Sequence, residues 1–88
     1  MKPHDDQIEE TILRLAGART EGRTICPSEA ARALGGDQPK GWGPLMQPIR
    51  KVAVSMMKQG RIVITRKGRP VDPDDFKGVY RLRMPEKE

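Results

Sequence analysis

The chain has 88 residues, 35% of them apolar and 33% charged, with a formal net charge of +5, and a length of that order makes one small domain with a single modest core. A lone cysteine, Cys26, excludes an internal disulfide, and a lone histidine, His4, excludes most histidine-based metal and triad chemistry, so neither a cofactor nor an enzymatic activity is expected. No apolar run approaches the roughly 18 residues of a membrane span, and the amino terminus is acidic where a signal peptide would be basic and then apolar, so the expected location is cytoplasmic with no membrane partner.

Asp6 with Glu9 three residues later fits a reciprocal cap, and Ile8, Thr11, Ile12, Leu15 and Ala16 recur at helical spacing until Gly17. That pattern predicts a first helix, whose early acids suit the dipole and need no chemistry. After the polar residues 19–23, Thr24-Ile25 reads as a short extended segment. Cys26-Pro27-Ser28-Glu29 then reads as a second helix start: proline tolerates the first helical position, and Glu29 sits where it can reach back to the cap residue. Ala30, Ala31, Ala33 and Leu34 give this helix a small-residue apolar side, and Gly35-Gly36 ends it. A cysteine at a helix start can be activated. With no histidine or second cysteine nearby in sequence, Cys26 is expected to be a buried structural thiol.

A third and longest helix follows, in which Leu45, Ile49, Val52, Ala53, Met56 and Met57 share one side and must face the core. The opposite side shows Gln47, Lys51, Val54, Ser55 and Lys58, with Arg50 on its flank. Pro48 frees a carbonyl one turn back, which predicts either an offset first turn or a helix that begins near Met46 or Gln47. Trp42, among glycines and prolines, is expected to anchor its loop on the core. Aromatic residues are only 3% of the chain, too few for base-stacking on single-stranded nucleic acid.

Two strands close the chain. Ile62 and Ile64 share one face against Arg61, Val63 and Thr65, and Tyr80 and Leu82 alternate against Val79, Arg81 and Arg83. Between them, residues 66–78 are expected to form a protruding loop rather than a tight turn. Asp72-Pro73-Asp74-Asp75 within it lacks the ligand spacing of a calcium loop and predicts an Asx or proline turn.

The charge is unevenly placed. Residues 40–69 hold eight basic residues and no acidic one, while the remainder holds nine basic against twelve acidic. Attraction for a polyanion is therefore concentrated on whichever face that segment occupies.

The order helix, short strand, helix, long helix, hairpin is that of a winged helix-turn-helix domain, an α+β fold. In the runs TICPSEAARAL, GWGPLMQPIRKVA, GRIVITRKGRPVDP and GVYRLR the chain resembles, more narrowly, a small bacterial winged-helix family of uncharacterised function. The resemblance covers about residues 6 to 84 and implies one domain there, with flexible termini at 1–5 and 85–88. The superfamily implies a nucleic-acid partner, duplex DNA above all, with the third helix in the major groove and the hairpin on the backbone or minor groove. Carried over by position, the groove-facing residues are Gln47, Arg50, Lys51, Val54, Ser55 and Lys58, and the wing residues are Arg66, Lys67 and Arg69. Gln47 and Arg50 are the expected base readers, and the other cations the expected phosphate contacts. The alternative is a protein-interaction or homodimerisation module, with Val54, Val63, Val79 and Met84 as its apolar patch.

Overall fold

The structure, a computed structural model, describes residues 4–19 and 23–85. It is an α+β fold, helices first and a C-terminal hairpin after, the layout expected of a winged helix. Helix α1 spans Asp5–Gly17, α2 Pro27–Gly35, the single-turn α3 Pro39–Trp42 and α4 Met46–Lys58, with a 3-10 turn at Gly43–Leu45. Strands β1 (Val63–Arg66), β2 (Arg69–Pro70) and β3 (Arg81–Arg83) form an antiparallel sheet in the order β2-β1-β3. Ile25, the expected short first strand, makes one antiparallel bridge to Leu82.

Three starts follow from local chemistry. Helix α1 begins earlier than expected: its cap is His4, whose backbone N–H donates to the Gln7 side chain at 2.8 Å, so Asp5 is helical and Asp6 is not the cap. At α2 the reach-back is as expected, the Cys26 N–H donating to Glu29 Oε2 at 2.7 Å. That bond, with Arg19 beside it, holds the Glu29 carboxyl below its ordinary pKa despite some burial. Cys26 is half-buried and its sulfur accepts from Ser28 Oγ at 3.0 Å. Helix α4 starts at Met46, and the 3-10 turn before it is the offset first turn that Pro48 requires.

The predicted apolar faces meet in one core. Ile8 and Ile12 of α1, Ala30 and Ala31 of α2, and Ile49, Ala53 and Met56 of α4 are buried with Ile25, Ile62, Ile64 and Leu82. Leu15, Met57 and Trp42 pack on its margin, Trp42 as the expected anchor. Two positions differ from the alternation. Ala33 faces outward, and Thr65 is buried because β1 is the central strand and Thr65 has Pro70 on one side and Arg81 on the other.

The wing is built in two parts. Lys67 and Gly68 both have positive φ, 51° and 81°, the pair of conformations a two-residue I′ turn demands, and it folds β2 back on β1. The expectation of a loop with no tight turn is thereby corrected. The rest of the loop returns through an Asx turn, where the Asp74 N–H donates to Asp72 Oδ1 at 2.9 Å.

Candidate nucleic-acid interface

The residues singled out on α4 and the wing separate into three groups. Gln47, Lys51 and Ser55 stand at intervals of four on α4 and are exposed, so they form one stripe along the helix. Lys67 and Arg69 are exposed at the hairpin tip. Among the described residues, the side chains of Lys51, Lys67 and Arg69 have no hydrogen-bond or ion-pair partner.

A second group is turned inward. The Arg50 guanidinium lies over the Phe76 ring, 3.9 Å from its centroid, with the Tyr80 ring at 5.7 Å, and its Nη2 donates to the Phe76 carbonyl at 2.7 Å. Phe76 and Tyr80 are themselves buried and meet edge to face at 5.4 Å. Arg50 thus clamps the wing to the helix, with one of its donors spent on the Phe76 carbonyl, while it also lines the groove beside the stripe. Arg66 donates from Nε to the Val79 carbonyl at 3.1 Å, bracing the wing from inside. Val54 is half-buried and packs against the core.

Lys58 stands alone as the third group. Its ammonium meets Asp74 Oδ1 at 2.7 Å in an exposed ion pair between the end of α4 and the wing loop. The Arg50 clamp ties the wing loop to α4 at Phe76, and the Lys58–Asp74 pair is a second, exposed contact between the same two elements.

The stripe borders a groove of about 840 Å³ whose lining includes Gln47, Lys51, Ser55 and, from α1, Asp5 and Glu9. Those two acids were not readable as part of any site, since only tertiary packing sets α1 beside α4. Glu9 is neutralised by an ion pair with Arg61. Among the described residues no group of three or more His, Cys, Asp or Glu could hold a metal ion, and no helix is long and apolar enough to cross a membrane.

Residues 5–85 match the family model described as a protein of unknown function, DUF3253, and the chain belongs to that family. No curated protein matches the chain.

Proposed function

We propose that this DUF3253 domain is a non-enzymatic winged-helix module of the cytoplasm that binds nucleic acid, duplex DNA in particular, in the manner of transcriptional regulators. The observation that carries the reading is the pairing of an exposed polar stripe, Gln47, Lys51 and Ser55, with an unpartnered cationic tip, Lys67 and Arg69, on elements braced together by Arg50. A helix stripe of this width suits the major groove, and the tip suits the flanking phosphates. Gln47 is then the base reader, because Arg50 is engaged with Phe76.

The reading predicts weaker electrostatics than the charge count does. With Lys51, Lys67 and Arg69 as phosphate contacts, the logarithm of affinity should fall against the logarithm of salt concentration with a slope of about −3. Titrating a mixed-sequence duplex at low salt should move the backbone amide signals of Gln47, Lys51, Ser55 and Lys67. Unmoved signals throughout 47–69 would exclude it. Replacing Lys51, Lys67 and Arg69 together by alanine should weaken binding by roughly tenfold or more.

A protein-interaction or dimerisation module is the second reading, favoured by Val79, which is 81% exposed, and by the Asp5 carboxylate in the groove. A concentration-dependent dimer in sedimentation that buries α4 would replace the first reading with this one.

A further inference from the structure

We infer that Phe76 is a positioning residue of the interface: it sets the Arg50 guanidinium so that Arg50 joins Lys51 as a phosphate contact beside the stripe. The inference rests on the duplex-binding reading above. It adds a fourth phosphate contact, which takes the expected salt slope from about −3 to about −4, and it leaves Gln47 as the base reader.

Three observations carry it. The first is that the guanidinium is held in one place. It lies on the Phe76 ring, 3.9 Å from the centroid, and Nη2 donates to the Phe76 carbonyl at 2.7 Å. The ring is itself fixed, since Phe76 is buried and meets the buried Tyr80 edge to face. Rotamer freedom is therefore lost on folding rather than on binding, and a phosphate meets a preset cation.

The second is the charge. A guanidinium has five N–H donors, and among the described residues the Phe76 carbonyl is the one hydrogen-bond acceptor that Arg50 meets. Neither a carbonyl nor a ring cancels the charge, and no carboxylate pairs with it, whereas Lys58 on the same helix is offset by Asp74. The third is that Arg50 lines the groove beside the stripe together with Lys51. The acids of that lining are Asp5 and Glu9. Glu9 is paired with Arg61, so among the described residues Asp5 is the one unpaired carboxylate facing two unpaired cations. Asp75 and Lys77, which flank Phe76 in the chain, are both exposed and opposite in sign.

The place of Arg50 on the helix favours phosphate over base. At 3.6 residues per turn it stands about 60° from the line of Gln47, on the side of the wing. A helix about 10–12 Å across nearly fills a major groove about 12 Å wide, so its leading face meets base edges and its flank meets the backbone. A planar guanidinium suits the oxygens of a phosphate there.

The test is a cycle in duplex affinity, measured against salt concentration for the wild type, Phe76→Leu, Arg50→Gln and the double variant, with folding checked by circular dichroism. Phe76→Leu leaves every charge in place, so affinity should fall about three- to tenfold while the salt slope stays the same. Arg50→Gln should lower affinity about tenfold and the slope by about one. Adding Phe76→Leu to Arg50→Gln should then change nothing further, because the ring acts through the arginine. Equal weakening by Phe76→Leu in both backgrounds, no weakening in either, or an unchanged slope in Arg50→Gln would each overturn the inference and leave the duplex-binding reading standing. If the leucine variant does not fold, the wild type decides: its Arg50 Nε–H signal should shift on addition of duplex, and an unmoved signal overturns the inference. If the wild type binds no duplex, the reading and the inference fall together.

Discussion

The link between α2 and α4 and the wing between β1 and β3 are both short of apolar residues and rich in glycine and proline, yet they are held by opposite means. In the link, backbone packs on backbone: a Cβ on Gly35 or on Gly41 would fall closer than 3.0 Å to the other's carbonyl oxygen. Side chains add to this: Leu45 is buried, Trp42 packs on the margin of the core, and the Arg32 guanidinium lies over the Trp42 ring, 5.1 Å from its centroid. In the wing, side chains make the contacts: Arg50 and, in an exposed ion pair, Lys58 reach the loop from α4, and Arg66 donates to it from β1. The lesson concerns charge. A long loop offers carbonyls and carboxylates that draw cations in, so a basic segment counted in sequence overstates the charge left free for a partner.

The hardest break is expected in the link. Gly35→Ala or Gly41→Ala drives a methyl group into backbone that has no rotamer to yield, and each should cost about 3 kcal/mol in chemical denaturation. Gly43→Ala is the control, because nothing lies within 4 Å of its Cβ position and its φ of −54° is helical. That variant should be neutral or slightly more stable. If Gly35→Ala folds with wild-type stability, the link is held by something other than this close approach.

In the wing the largest effect belongs to Arg50. Alanine there removes a charged hydrogen bond to the Phe76 carbonyl and a cation over two rings, and should cost about 2 kcal/mol. Lysine should not restore it, since only the planar guanidinium can lie flat on the Phe76 ring while donating to its carbonyl. Amide exchange of residues 76–80 should accelerate in both variants. Unchanged exchange would mean that the strands, not the arginine, hold the loop.

The helices were legible because their signals are local and redundant. Four apolar residues at helical spacing mark α1 and five mark α4, and Cys26-Pro27-Ser28-Glu29 carries its own cap. The I′ turn was less visible: Lys67-Gly68 is a weaker hairpin signal than Asn-Gly, and a lysine at positive φ is uncommon. The Phe76 contact of Arg50 was invisible for a different reason. Helical periodicity correctly set it on the flank of the exposed face, but its partner lies 26 residues away, and no local pattern announces a contact at that separation. Asp74 was readable as a turn residue and as a negative charge, though not as the partner of Lys58.

Tyr80 sharpens the contrast from the interior of the wing. Its hydroxyl is buried without a hydrogen-bond partner among the described residues, and burial pushes its pKa above the ordinary 10.0, with Arg50 opposing the shift. The folded state therefore holds the proton more tightly than the unfolded chain. Stability from this group is whole below pH 10.0 and is lost as the pH rises from there through the raised folded value. Tyr80→Phe should abolish that alkaline loss and, by removing an unpaired hydroxyl, raise stability at neutral pH by about 1 kcal/mol or less. A destabilised phenylalanine variant would show that the hydroxyl has a partner, such as water, after all.

The smallest effect should come from Lys58, and its smallness is the point. Lys58 and Arg50 both leave α4 to meet the wing, but one pairs in solvent and the other over buried rings. An exposed lysine–carboxylate pair gains little Coulomb energy in water and orders two flexible side chains, so its net worth is about 0 to 0.5 kcal/mol. Lys58→Ala should therefore denature with the wild type, and raising the salt concentration should narrow what difference there is. A loss comparable to that of Arg50→Ala would mean that the Lys58–Asp74 contact supports the wing. In that case the two cations would share one structural role.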